Sequence, residues 1–266
     1  MKSIWLPLFL PFLLLSFIST ALAQNSSHAV VHREIGAVQG LQRALDAMGG
    51  QGMVANIHSM VATGTIQQDA DSPPKAFIWK DTFIGQRFDF RRELSDSSSR
   101  SVLVSGHSHP QHLGAGGKAA SLSTHVATAM SPLHNPAVVL WMALNKSTVS
   151  VETTDDGSAP GAIHIRIRDE RSLETRAVTQ QDWFIDRQTM LPARVQYFTP
   201  EVGNGFEGII GTCEFDHFEN VEGILIPMIL SLSDRDSQSR VIVKSIQLNA
   251  AISDSDFDLG TQEAAQ

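Results

Sequence analysis

The chain has 266 residues, 42% of them hydrophobic, with 28 acidic against 20 basic side chains and a formal net charge of -8. No basic cluster stands out, which argues against a nucleic-acid partner, because phosphate neutralisation supplies most of such affinity. Cys213 is the only cysteine, so no internal disulfide can form.

The N-terminus carries Lys2, an apolar run from Ile4 to Ile18, and the small-x-small triplet Ala21-Leu22-Ala23 before Gln24. That order is a cleavable secretory signal, too short and wrongly flanked for a membrane span. The expected organisation is a signal peptide over 1–23 and a single domain over 24–266, exported to the periplasm or secreted, soluble and without a transmembrane span after cleavage.

Ile35, Val38, Leu41, Leu45 and Met48 recur at intervals of three and four, which predicts a helix stopped by Gly49-Gly50. A short irregular piece leads into a strand ending near Ile66, and Asp69 to Pro74 forms a turn. Phe77 and Trp79 share one face of the next strand; Ile84, Phe88 and Phe90 are read onto one face of the strand after it, opposite Arg87 and Asp89. Val102 to Val104 begin a further strand. From Pro110 to Ser131 the Gly, Ala, Ser and His content predicts a long excursion with at most one short strand.

Asn135-Pro136 reads as an N-cap followed by proline in the first helical turn. The residues that follow, Ala137 to Leu144, are apolar around the whole circumference, so this helix must be buried or must cover something apolar. Val149 and Val151 come next, then Ile163, Ile165 and Ile167 alternating with His164, Arg166 and Arg168, a half-buried strand. From Trp183 to Ile252, short runs bounded by Asp, Asn, Gly or Pro predict consecutive antiparallel hairpins rather than βαβ units. Gly211 to Phe215 alternates like a strand, making Cys213 a buried, inert thiol.

Catalytic constellations are sparse. His107-x-His109-Pro110-Gln111-His112 resembles the metal-binding stretch of metallo-β-lactamase-like hydrolases, and His107, His109 and His112 could hold a zinc that generates hydroxide. Gln111 stands where that family has a metal-binding aspartate, and the strand-Asp-x-Gly stretch upstream is missing. There is no Gly-x-Ser-x-Gly elbow. The pairs Asp155-Asp156 and Asp254-x-Asp256 sit beside Gly or Ser and read as solvated turns, without the dry cleft that acid–base work requires. Arg166, Arg168 and Arg171 with Asp169 and Glu170 read as a solvated strand face.

Large apolar residues are more informative. Phe77, Trp79, Phe88, Phe90, Leu140, Trp141, Trp183, Ile224, Ile226 and Met228 exceed what a thin sheet under one helix needs. Most are expected in the core, and some could line a hollow between a curved sheet and its helical cover.

Taken in order, several pieces resemble the LolA-like superfamily, the periplasmic lipoprotein carriers and outer-membrane lipoprotein-sorting proteins. They are the helix Ile35 to Met48 with Gly49-Gly50, the strand ending Ala62-Thr63-Gly64, and Trp183-Phe184-Ile185-Asp186 to Leu191-Pro192-Ala193-Arg194-Val195. Phe218-x-x-Val221-x-Gly223-Ile224-x-Ile226-Pro227 and Asn249-x-x-Ile252 complete the set. Gly106 to Ser131 departs from the family pattern. The resemblance implies an α+β, mainly antiparallel fold: an unclosed β-barrel, a strongly curved sheet whose concave side is covered by helices. It further implies a non-enzymatic protein without a cofactor, holding a lipid, a lipoprotein acyl chain or another apolar ligand, with Asn135 to Leu144 as lid or plug. The expected wall residues are Ile84, Phe88 and Phe90, joined by Leu140, Trp141, Trp183, Ile224, Ile226 and Met228. A zinc hydrolase and an envelope module that binds a protein partner are the two other readings.

Overall fold

The computed structural model describes residues 30–84, 87–106, 110–114, 116–154, 160–201 and 204–259. The signal-peptide segment 1–23 lies outside them, as do His107, His109 and the Asp155-Asp156 pair. Among the described residues, thirteen strands form a single antiparallel sheet that does not close. In chain order they are β1 (Ser59–Gln68), β2 (Lys75–Ile84), β3 (Arg87–Ser95), β4 (Arg100–Ser105), β5 (Gln111–Leu113), β6 (Ala119–Ser121) and β7 (Val149–Thr153). Then come β8 (Ala162–Asp169), β9 (Gln181–Asp186), β10 (Pro192–Glu201), β11 (Asn204–Val221), β12 (Ile224–Ser233) and β13 (Gln238–Leu248). The helices are α1 (Ile35–Ala47), α2 (Gln51–Val54), α3 (Thr124–Ala129), α4 (Pro136–Asn145) and α5 (Leu173–Thr179).

The sheet order runs β6-β5-β4-β3-β2-β1-β13-β12-β11-β10-β9-β8-β7. Every neighbour but one is a sequential hairpin; the exception is β1 against β13, which joins the first half of the meander to the last strand. That pairing shifts register between Thr63 and Gly64. A side chain at Gly64 would collide with the Ile242 carbonyl and the Phe77 ring, so glycine here permits the close approach of three strands.

Period-two burial sets the two faces. On the helix-covered, concave face lie Met60, Ala62 and Ile66 of β1, Ile224, Ile226, Met228 and Leu230 of β12, and Trp183 and Ile185 of β9, packed in one core with Leu41 and Leu45 of α1 and Met48 at its C-cap. Fully burying each such side chain contributes about 1.5–3 kcal/mol. The outer face has a smaller core of its own: Val102 and Val104 of β4 with Leu113 of β5, against Leu259 of the C-terminal stretch. Phe257, in a single 3-10 turn over Asp254–Phe257, is buried as well.

Three sequence expectations change. Ile84 ends β2, whereas Phe88 and Phe90 belong to β3, across a hairpin in which Phe83 pairs with Phe88. The excursion after Pro110 contains two short strands and a helix, β5, β6 and α3; these lack a clear apolar period because β6 is fully exposed. Finally, α5 follows β8, where Ser172 accepts from the Thr175 backbone N–H at 3.0 Å, an N-cap that its mixed-charge surroundings hide.

Candidate functional site

Helix α4 is fixed at both ends. The Asn135 side chain accepts a hydrogen bond from the Val138 N–H at 3.3 Å, and Pro136 occupies the first turn, where a missing N–H is harmless. At the other end the Arg33 guanidinium donates to the carbonyls of Leu144 at 2.8 Å, Ala143 at 3.3 Å and Lys146 at 3.4 Å. These are the orphan acceptors of a helix C-terminus, where a cation is also favoured by the helix dipole. The all-round apolar composition is explained by burial: Pro136, Ala137, Val138, Val139, Leu140 and Ala143 are all enclosed.

A cavity of about 370 Å³ opens beside α4, within the usual range for small-molecule sites. From α4 and its C-cap it takes Val139, Met142, Ala143 and Lys146, the first three stacked along one stripe by the i, i+3, i+4 spacing. Across it stand Val149 of β7, Ile167 and Asp169 of β8 and Gln181 of β9; the segment from Ala127 to Pro132 closes another side. Phe88 of β3 lines the same space, so the curled sheet brings β3 round to face β7 and β8.

One end of this cavity is charged. Asp169 is only 4% exposed and meets Lys146 Nζ at 2.8 Å and Arg171 Nε at 2.9 Å. Burial on its own would push the Asp169 carboxyl up, but the Lys146 ammonium and Arg171 guanidinium hold it below the usual carboxylate range. Beside it, Arg168 joins Glu152 at 3.1 Å and the buried Glu170 at 2.7 Å. The acidic members of this patch are thus enclosed and paired, unlike the solvated face read from the sequence.

A second buried charge cluster lies on β2 and β3. Asp81, fully buried, accepts from Arg92 Nη1 at 2.6 Å. Its other oxygen lies 2.7 Å from His134 Nε2, without meeting hydrogen-bond geometry. The Arg92 guanidinium lies 5.5, 5.9 and 5.4 Å from the rings of Trp79, Phe88 and Phe90, and Trp79 also contacts the His134 ring. Burial would raise the Asp81 pKa, yet Arg92 and His134 bring it below its ordinary value. Burial lowers that of His134, and Asp81 only partly offsets this. Since His134 immediately precedes the N-cap of α4, the cluster ties this helix to the sheet.

The expected wall residues divide. Phe88 lines the cavity. Leu140, Trp183, Ile224, Ile226 and Met228 are placed in the packed core, Phe90 is fully buried beside Phe88 and Arg92, and Trp141 is half-buried against the core. The side chain of Ile84 lies outside what the structure describes. Met142, Ala143, Ile167 and the charged trio were missed as site residues. The signal that could have found part of them is the α4 stripe itself, followed by a lysine at its C-cap. Of the imidazoles, His112 sits in β5 opposite Leu103 and Ala120; no group of three metal-binding side chains occurs among the described residues. Cys213 is fully buried, and burial pushes its thiol far up.

Comparison with known proteins gives a fold but no close relative. No family model matches the chain, and no curated protein matches it. Among solved structures, a domain provisionally named as an outer membrane lipoprotein-sorting protein from Vibrio parahaemolyticus superposes with a TM-score of 0.53 at 9% identity, over 86% of this chain and 98% of that one. A DUF1329 family protein from Desulfovibrio piger gives 0.53 at 12% identity, over 84% and 97%. A LolA superfamily protein from Nitrosomonas europaea gives 0.47 at 12% identity, over 84% and 97%. At the level of fold, this chain has an unclosed, helix-covered antiparallel sheet like that of the lipoprotein-sorting domain and the DUF1329 protein.

Proposed function

We propose that the protein is an exported, non-enzymatic binder of an acyl chain or a similar apolar ligand, working in lipid or lipoprotein traffic in the envelope. The observation that carries this reading is the cavity beside α4, whose walls of Val139, Met142, Ala143, Ile167 and Phe88 offer a chain shelter from water. Each methylene sheltered contributes about 0.8 kcal/mol, so a single tail gives useful affinity. Fold likeness to a lipoprotein-sorting domain points the same way. No described helix is long and apolar enough to cross a membrane.

The test is native mass spectrometry of the mature protein from envelope extracts, followed by titration of the delipidated protein with fatty acids. An adduct of acyl-chain mass, displaced by added fatty acid and lost when Met142→Trp fills the cavity, supports the proposal. A mature protein that neither carries nor takes up any lipid refutes it. Metal analysis after dialysis decides the hydrolase alternative, since stoichiometric zinc lost on changing His107, His109 and His112 to Ala would establish it.

A further inference from the structure

Both walls of the cavity change character in the same direction. Along α4 and its C-cap the lining stripe runs Val139, Met142, Ala143 and then Lys146, an apolar run of about 6 Å at 1.5 Å per residue followed by an ammonium. Along the facing strand β8 the same-side residues are Ile167 and then Asp169, followed by Arg171 beyond the strand end, all on the cavity wall. Two antiparallel or unrelated elements need not agree in this way. Here they place an apolar trough at one end of one cavity and two cations at the other.

Lys146 and Arg171 both contact the same carboxylate, Asp169, while Arg168 on the same wall is held by Glu152 and Glu170. Lys146 and Arg171 keep donor capacity: an ammonium has three N–H donors and a guanidinium five, while Asp169 engages Nζ of one and Nε of the other. Arg171 is 54% exposed and Lys146 18%, so this end opens toward solvent, where a polar head group can enter last.

We propose that the ligand is a single-chain anionic amphiphile, a fatty-acid carboxylate or its chemical equivalent, whose head group sits between Lys146 and Arg171 while its chain lies along Val139, Met142 and Ile167. This rests on the acyl-chain reading of the cavity and adds to it the charge of the cargo. A carboxylate head group accepts charge-assisted hydrogen bonds from both cations; an uncharged head group forgoes that attraction.

The experiment compares two ligands of equal chain length, laurate and its neutral glycerol ester 1-monolaurin, below their micellar concentrations. Delipidated mature protein is titrated calorimetrically at pH 8 and low salt. Laurate is expected to bind at least tenfold more tightly than the ester, and raising the salt should shrink that ratio, because exposed charge contacts are screened. In Arg171→Gln, whose exposed side chain can be exchanged without refolding the core, the ratio should fall to within about twofold; an unchanged thermal melt certifies folding. Lys146→Arg, which keeps the charge, should preserve the preference. Equal affinity for both ligands in the parent protein overturns the head-group assignment and leaves the acyl-chain reading standing. A ratio that survives Arg171→Gln also overturns it. Failure of both ligands to bind overturns both readings.

Discussion

Replacing Asp81 with alanine would leave a cation stranded inside the protein. In the parent, the carboxylate is fully buried, accepts from Arg92 Nη1 at 2.6 Å and lies 2.7 Å from His134 Nε2; the Arg92 side chain is only 12% exposed. Removing one member of a buried ion pair costs about 3–5 kcal/mol, because the other stays desolvated and uncompensated. The rings of Trp79, Phe88 and Phe90 surround the guanidinium in parent and variant alike, so their contacts with it cancel in the difference. Asp81→Ala should therefore cost about 3–5 kcal/mol. Asp81→Leu combined with Arg92→Met removes both charges, and the loss should shrink to about 1–2 kcal/mol, the cost of leaving His134 without its partner. Urea unfolding at pH 8, followed by tryptophan fluorescence, gives both values provided the slopes match that of the parent. A single variant that loses less than about 1 kcal/mol, or a double variant as unstable as the single, would refute a coupled buried cluster.

The same cluster sets a pH dependence. His134 has a folded-state pKa below its ordinary 6.5, so the unfolded chain binds the extra proton more readily, and the stability present above that value is lost as pH falls through it. Melting temperature should decline from pH 7 to pH 5, and His134→Gln should flatten that decline relative to the parent; identical slopes would exclude the assignment. Below the ordinary Asp81 value of 3.8 the lowered carboxyl pKa acts with the same sign. Gly64→Ala should destabilise by about 3 kcal/mol, through overpacking against Phe77 and the Ile242 carbonyl, seen as a lower urea midpoint; a neutral result would mean that β1 can move away from β13 at little cost. Cys213, fully buried with its pKa raised by burial, should resist a thiol reagent such as Ellman's in native buffer and react completely in denaturant. Rapid native labelling would contradict the packing of β11.

What the sequence settled by itself was local. The three-and-four spacing from Ile35 to Met48 gave α1, observed over Ile35–Ala47; Asn135-Pro136 gave the start of α4, observed at Pro136 with its cap bond; and Ile163, Ile165 and Ile167 gave β8 and its inward face. Capping, helical period and strand alternation each act within a few residues, so a single sequence displays them. The order of the hairpins was readable too, since almost every strand pairs with its neighbour in the chain.

Tertiary structure decided the rest, because periodicity tells which side chains turn inward but not whether the space they enter is filled. Trp183, Ile224, Ile226 and Met228 turn inward and meet other side chains, while Met142, Ala143 and Ile167 do the same and border a cavity. Nothing in their local patterns separates the two groups. Lys146 and Asp169 belong to different elements, a helix end and a strand end, and Asp81, Arg92 and His134 to three. Their charges found one another only when the sheet curled, and it is the depth of burial, set by the whole fold, that makes those contacts strong.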